Sequence, residues 1–224
     1  MTHIKICGIT SLNNALAAIE AGADYLGFNF YPPSPRSILP EACAQITSVL
    51  RREHPQVQLV GVFVNMPVEQ VKVILASCSL HLAQLHGDET PEITAAFGEQ
   101  AFKAIRLTTD LTTDAEAEKR MMDFELYSQL RNGHSPALLV DAAVKGAYGG
   151  TGVTADWSAA AELAKRHSLL LAGGLTAENV GAALRQVRPW GVDTASGVES
   201  GPGKKDAVKM KTFVAEVRKF DGGR

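Results

Sequence analysis

A lysine and a cysteine stand two residues apart in "HIKICGIT", His3 to Thr10, a β-rich run that is otherwise apolar and ends near a glycine. The two-residue period of a strand puts Lys5 and Cys7 on one face. An unperturbed thiol titrates near ~8.5, and a neighbouring ammonium lowers that value. The residues alone leave two readings of Cys7: a small buried filler, as free cysteine commonly is, or part of an active-site wall.

Other apolar runs are interrupted in the same way. Asn29, Gln84, His86, Arg106, Asp141 and Asp193 each break a short hydrophobic stretch, most of them in its last residues. Gln84 and His86 share a face as Lys5 and Cys7 do. An unpaired charge buried against helices costs on the order of several kcal/mol, so these groups belong in a polar opening. Asp141, closing "ALLVD", reads either as a cap of the following loop or as an acid whose apolar setting raises its pKa. His86 bonds a neighbouring loop, caps its strand or contacts a ligand, and Arg106 reads first as an ion-pair partner of Asp141 or Asp193.

Glycines are concentrated where an anion could be held. "LAGGLT" brings Gly173 and Gly174 after one run, and "TASGVESGPGKKD" brings Gly197 after the next, near a short helix. Glycines there let backbone N–H groups approach a phosphate. "KGAYGGTGVTADW" has the composition of a mobile loop or lid. The lysines of "GKKD" read first as a solvated loop and second as phosphate-steering charges, and the alternating charges of "DAEAEKRMMDFE" as an exposed helix face.

These residues need a frame. Apolar or β-branched runs predict strands at 4–9, 24–30, 58–65, 81–86, 101–107, 137–142, 169–174 and 191–196. Helical spacing predicts helices at 12–21, 40–53, 67–76, 91–98, 114–132, 156–167, 177–186 and 207–220. Helix starts are marked by Thr10 or Ser11, Pro40, Pro67, Pro91 and Thr176, and the glycine of "AGAD" closes the first helix. Strand-then-helix alternation with no Pro/Gly-rich linker predicts one domain over residues 1–224, a parallel (β/α)8 TIM barrel, compact for a fold that usually takes ~250 residues. The competitor is an open doubly wound sheet, which usually has fewer strands and a GxGxxG fingerprint that "KICGITS" lacks. In the barrel, strand carboxyl ends form the catalytic mouth and the loops after strands seven and eight hold phosphate. The polar exceptions and the glycines fall there, which turns Cys7 toward a ligand.

The chain carries 22 basic and 24 acidic residues, a formal charge of −2, and is 46% hydrophobic. That balance excludes a disordered chain and supplies no field for nucleic acid or a membrane surface. The start lacks the features of a signal peptide, and no stretch approaches the ~20 apolar residues of a membrane helix, so a cytoplasmic location is expected. Cys7, Cys43 and Cys78 are odd in number and in no CxxC pairing, which predicts reduced thiols, with Cys43 and Cys78 as packing residues. His3, His54, His81, His134 and His167 show no metal-ligand spacing and read as surface or hydrogen-bonded residues; no metal is expected. No long apolar helix face is left over, which predicts a monomer.

Seven blocks, "KICGIT", "LGFNFYPPSPR", "VGVFVN", "AQLHGDE", "VDAAVKGAYGGTG", "LAGGLTAENV" and "ASGVESGPGKKD", follow one another in the order of a single family. Over nearly its whole length the chain resembles the phosphoribosylanthranilate isomerases of tryptophan biosynthesis. The resemblance implies a barrel that performs, without a cofactor, the Amadori rearrangement of N-(5-phosphoribosyl)anthranilate to a 1-amino-1-deoxyketose phosphate. It implies Cys7 as general base, Asp141 as general acid and Arg36 facing the anthranilate carboxylate. Gly173, Gly174, Ala195, Ser196 and Gly197 would hold the phosphate, and His86 is added as a candidate substrate contact.

Three alternatives come from other classes. A histidine-pathway isomerase performs the same rearrangement on a bulkier imidazole nucleotide with two aspartates; Cys7 and a single phosphate cradle argue against it. A metal-dependent pentose-phosphate epimerase needs histidine and aspartate ligands on several strands, where only His86 and Asp141 present themselves. A phosphate-ligand binding module would bind without turnover.

Overall fold

The computed structural model describes residues 1–106, 123–128, 135–141 and 157–223. Eight parallel strands close into a barrel in chain order: β1 (His3–Cys7), β2 (Tyr25–Asn29), β3 (Gln58–Phe63), β4 (Leu82–Leu85), β5 (Ala101–Arg106), β6 (Leu138–Asp141), β7 (Leu169–Ala172) and β8 (Gly191–Thr194). The ring is completed by β8 on β1, where Lys5 stands opposite Asp193. Outside lie α1 (Leu12–Ala21), α2 (Pro40–Glu53), α3 (Val68–Ser77), α4 (Pro91–Ala95), α5 (described over 123–128), α6 (Ser158–Ala164), α7 (Val180–Val187) and α8 (Ala207–Gly222). Among the described residues no helix is long and apolar enough to cross a membrane.

Strand parity divides the hydrophobic residues into two cores. Tyr25, Val60, Leu82, Phe102, Leu139 and Leu170 point inward and fill the barrel. Their neighbours, among them Leu26, Leu59, Ala83, Leu138 and Val192, point outward into a larger layer shared with the helices. Cys43 and Cys78 are buried in that layer, as expected, and the Cys78 thiol donates to the Pro40 carbonyl at 3.3 Å.

Local chemistry sets the helix ends. The Ser11 hydroxyl accepts from the Asn14 N–H at 3.3 Å and Gly22 closes α1 at φ +106°, a left-handed conformation that favours glycine. Asp206 opens α8 by accepting from the N–H groups of Val208 and Lys209. Helix α7 begins three residues later than its spacing predicts, because the Asn179 side chain turns back to accept the Thr176 N–H at 2.8 Å. Helix α4 is cut to Pro91–Ala95 and followed by a separate 3-10 turn, Gly98–Gln100. The ladders of β1, β2, β3, β4, β7 and β8 stop one or two residues before the predicted ends, as the chain turns into the loops of the mouth, while the predicted ends of β5 and β6 lie outside the described residues. A 3-10 turn, Ser196–Val198, and a hairpin of β9 (Glu199–Gly201) and β10 (Lys204–Lys205) follow β8. Most of the predicted 114–132 helix, His134 and nearly all of the predicted lid lie outside the described residues.

Candidate active site

Strand β1 supplies the first group. Lys5 and Cys7 face inward together, and the Lys5 ammonium, fully buried, donates to Asp193 Oδ1 at 2.7 Å across the β1–β8 seam. Two glycines make room for this arrangement. A Cβ at Gly27 would lie 2.7 Å from the Cys7 sulfur, and one at Gly8, which sits at φ +82°, would lie 2.7 Å from Arg36 Cδ. The glycine after the cysteine therefore seats the arginine stem.

Burial pushes the Cys7 thiol up from its ordinary value, and the Asp193 carboxylate adds to that; the Lys5 and Lys205 ammonium groups pull it down without winning. Burial also opposes the charge on Lys5, but Asp193 and Cys7 more than offset it, so its pKa is raised. The cation thus acts on the thiol in the expected direction, while its principal partner is a carboxylate on the opposite side.

Arg36 comes from the loop between β2 and α2. Its Nε and Nη2 donate to the two carboxylate oxygens of Glu199 at 2.8 and 2.7 Å, a bidentate pair. Glu199 Oε1 also accepts from Lys205 Nζ at 2.7 Å, and that ammonium donates to the Ala195 carbonyl at 2.9 Å. The Lys205 side chain is fully buried, which corrects the reading of "GKKD" as a solvated loop for its second lysine: the hairpin folds that side chain beneath the site, while Lys204 is exposed. These hydrogen bonds hold the Arg36 pKa up. They also hold Glu199 below the usual carboxylate range despite burial, whereas burial lowers Lys205. The Glu199 pair occupies one edge of the guanidinium fork and leaves the edge carrying Nη1 for a second planar anion.

The facing wall comes from β4 and β6. His86 continues the inward parity of Leu82 and Gln84, and its Nδ1 lies 2.7 Å from Gln84 Nε2. The Gln84 amide thus fixes the ring's orientation and holds Nδ1, leaving Nε2 toward the cavity side. Burial lowers the His86 pKa, which favours the neutral ring. Asp141 closes β6 at the rim, half-buried, and in the β5–β6 register it stands opposite Arg106, which is exposed.

Two loops complete the opening. Gly173 and Gly174 take φ of +104° and +67°, conformations in which an L side chain would be strained. The Thr194 hydroxyl donates to the Leu175 carbonyl at 2.7 Å and ties this loop to the one after β8. A cavity of about 280 Å3 is lined by Cys7, Arg36, His86, Asp141, both glycines, Ala195 and Ser196. Gly197 does not line it; a Cβ there would lie 1.9 Å from the Leu175 carbonyl oxygen, so this glycine allows the two loops to touch. A larger groove of about 480 Å3, beside Arg51 and His81, lies at the amino ends of the strands, away from the mouth.

Four charged residues escaped the sequence reading. Glu199 and Lys205 sit in a hairpin too short to show periodicity. Glu89 lies in a loop, where burial has no sequence signature. Lys103 did carry a signal, a lysine inside "AFKAIR".

A closed parallel barrel whose polar cavity lies at the carboxyl ends of its strands defines the class of (β/α)8-barrel enzymes. The family model described as N-(5′-phosphoribosyl)anthranilate (PRA) isomerase matches residues 4–216. The N-(5′-phosphoribosyl)anthranilate isomerase of Magnetococcus marinus is 47% identical over 220 residues, covering 98% of this chain and 97% of its own. The crystal structure of the Thermotoga maritima phosphoribosyl anthranilate isomerase superposes with a TM-score of 0.81 at 38% identity, covering 98% of this chain and all of that one. A phosphoribosyl anthranilate isomerase solved with reduced 1-(o-carboxyphenylamino)-1-deoxyribulose 5-phosphate superposes at 0.78, with 35% identity over 98% of this chain and all of that one. The chain belongs to the phosphoribosylanthranilate isomerase family.

Proposed function

We propose that residues 1–224 form one catalytic domain that converts N-(5′-phosphoribosyl)anthranilate to 1-(2-carboxyphenylamino)-1-deoxyribulose 5-phosphate, with Asp141 as general acid and Cys7 as general base. The observation that carries this reading is the presence of both groups on the wall of one cavity. Asp141 gives a proton to the ring oxygen, the ring C–O bond breaks, and the anilino nitrogen's lone pair forms the protonated Schiff base. The Cys7 thiolate then removes the proton from the second sugar carbon, and those electrons neutralise the iminium to give the enolamine, which tautomerises to the ketone. No electrons are gained or lost, so the rearrangement needs no redox cofactor.

The remaining groups hold the substrate. The edge of Arg36 that Glu199 leaves unoccupied suits the anthranilate carboxylate. Gly173, Gly174, Ala195 and Ser196 surround the phosphate, Gly197 lets their loops close, and the His86 Nε2–H reaches the substrate from the facing wall. The test is turnover by the purified chain, read as decay of anthranilate-ribonucleotide fluorescence, with growth of an isomerase-deficient strain on medium lacking tryptophan as the cellular counterpart. Decay and growth support the reading. A folded, expressed chain that gives neither overturns it.

A further inference from the structure

A buried ion pair lies on the outer face of the sheet, against the turn after β4. Lys103 shares the outward parity of Ala101 and Ile105 in β5, so its side chain runs between barrel and helices, and both it and Glu89 are buried. Its ammonium lies 3.2 Å from Glu89 Oε2. It donates to the carbonyl oxygens of Leu85 at 3.1 Å, Gly87 at 2.7 Å and Ala104 at 3.0 Å. Glu89 accepts from the backbone N–H groups of Asn65 at 2.7 Å and Gly87 at 2.8 Å, and its own carbonyl takes the Tyr127 hydroxyl at 2.8 Å. Well-packed apolar residues often replace such a pair at no loss of stability, so packing alone explains it poorly.

What the pair grips is the turn after β4. Glu89 holds the N–H of Gly87 and Lys103 holds its C=O, and Gly87 is the residue next to His86. Asn65, at φ +51°, braces the far side: its side chain accepts the Asp88 N–H at 2.6 Å and donates to Asp88 Oδ2 at 3.0 Å. A Cβ at Gly87 would lie 2.2 Å from Asn65 Oδ1, so only glycine fits between the two loops. The His86 N–H donates to the Phe63 carbonyl at 2.8 Å. The backbone beneath the imidazole is therefore fixed on every side. Charge adds to position: after burial, which is the largest influence on the ring, Asp141 and Asp193 favour its protonation while Lys5 and Lys103 oppose it.

We propose that Lys103 and Glu89 are positioning residues: from outside the barrel, the pair holds the turn after β4 so that His86 presents its Nε2–H to the substrate. The proposal rests on the isomerase reading above. Its test is a double-mutant cycle between Lys103→Met and His86→Ala, with kcat/KM as the readout. Lys103→Met should cost about tenfold when His86 is present and under about twofold when it is absent. Glu89→Gln, which removes a carboxylate rather than stranding one, runs through the same cycle and decides the matter if Lys103→Met fails to fold. A second readout is independent of turnover: in Lys103→Met the His86 ring, followed by NMR titration, should take up its proton at higher pH than in the unaltered protein. Equal losses with and without His86, or a ring titration that does not move, overturn the proposal. An unaltered chain without isomerase activity would overturn the functional reading instead, and the ring titration would still judge the pair.

Discussion

The Lys5 ammonium and the Asp193 carboxylate meet at 2.7 Å at facing positions of the first and last strands, sealing the barrel where it closes. Cys7 stands on the same inward face, two residues above Lys5. The lysine is thus shared between a carboxylate that neutralises it and a thiol that it pulls toward ionisation.

Replacing Lys5 by Met removes that pull. Burial already raises the Cys7 pKa and the lysine works against it, so loss of the cation should move the thiol titration to higher pH. The stranded Asp193 carboxylate should also lower stability by about 3–5 kcal/mol, read by denaturant unfolding. A thiol titration that stays in place contradicts an electrostatic role for Lys5.

Glu199 grips one edge of Arg36, and the proposed function assigns the other edge to the substrate carboxylate. Glu199→Gln should therefore raise KM, by about tenfold, more than it lowers kcat, because uniform binding is what the fork supplies. Arg36→Met should do the same more strongly, and an unchanged KM in either variant argues against the carboxylate role. The pair also has a pH signature. Glu199 is held below its ordinary 4.5, so its stabilisation is present above that value and is lost as pH falls through the lower folded value. In Glu199→Gln, thermal unfolding should lose that part of its acid dependence.

Gly197→Ala tests how the anion loops are joined. The new methyl would lie 1.9 Å from the Leu175 carbonyl oxygen and 2.8 Å from Thr194 Oγ1, so the loops after β7 and β8 must separate. A loss of about 1–3 kcal/mol in stability and a raised KM are expected, measured by thermal unfolding and steady-state kinetics. A variant with unaltered stability and KM would mean that the two loops do not act as one cradle.

Much of this arrangement was legible in the residues. The spacing and end signals of α1 and α2 gave their bounds correctly, because Ser11, Gly22 and Pro40 act on their own neighbours. Strand parity placed Lys5 with Cys7 and Gln84 with His86, and the glycine blocks after β7 and β8 fell at the mouth. What escaped depends on contacts made far along the chain. Nothing local distinguishes Lys204 from Lys205, yet one is exposed and the other sits buried under Ala195 and Glu199. The direction of the Cys7 shift likewise follows from a balance of burial and the Asp193 carboxylate against the Lys5 and Lys205 ammonium groups, which stand on different elements.

The central claim is that a thiol and a carboxyl on opposite walls of one cavity move the two protons. The most direct measurement is kcat/KM of Cys7→Ser and Asp141→Asn, each verified as folded by circular dichroism, using the decay of anthranilate-ribonucleotide fluorescence. Losing a general acid or base that acts in the transition state should lower the rate by about 10²- to 10⁴-fold in each variant. Rates near those of the unaltered protein in either one would contradict the account.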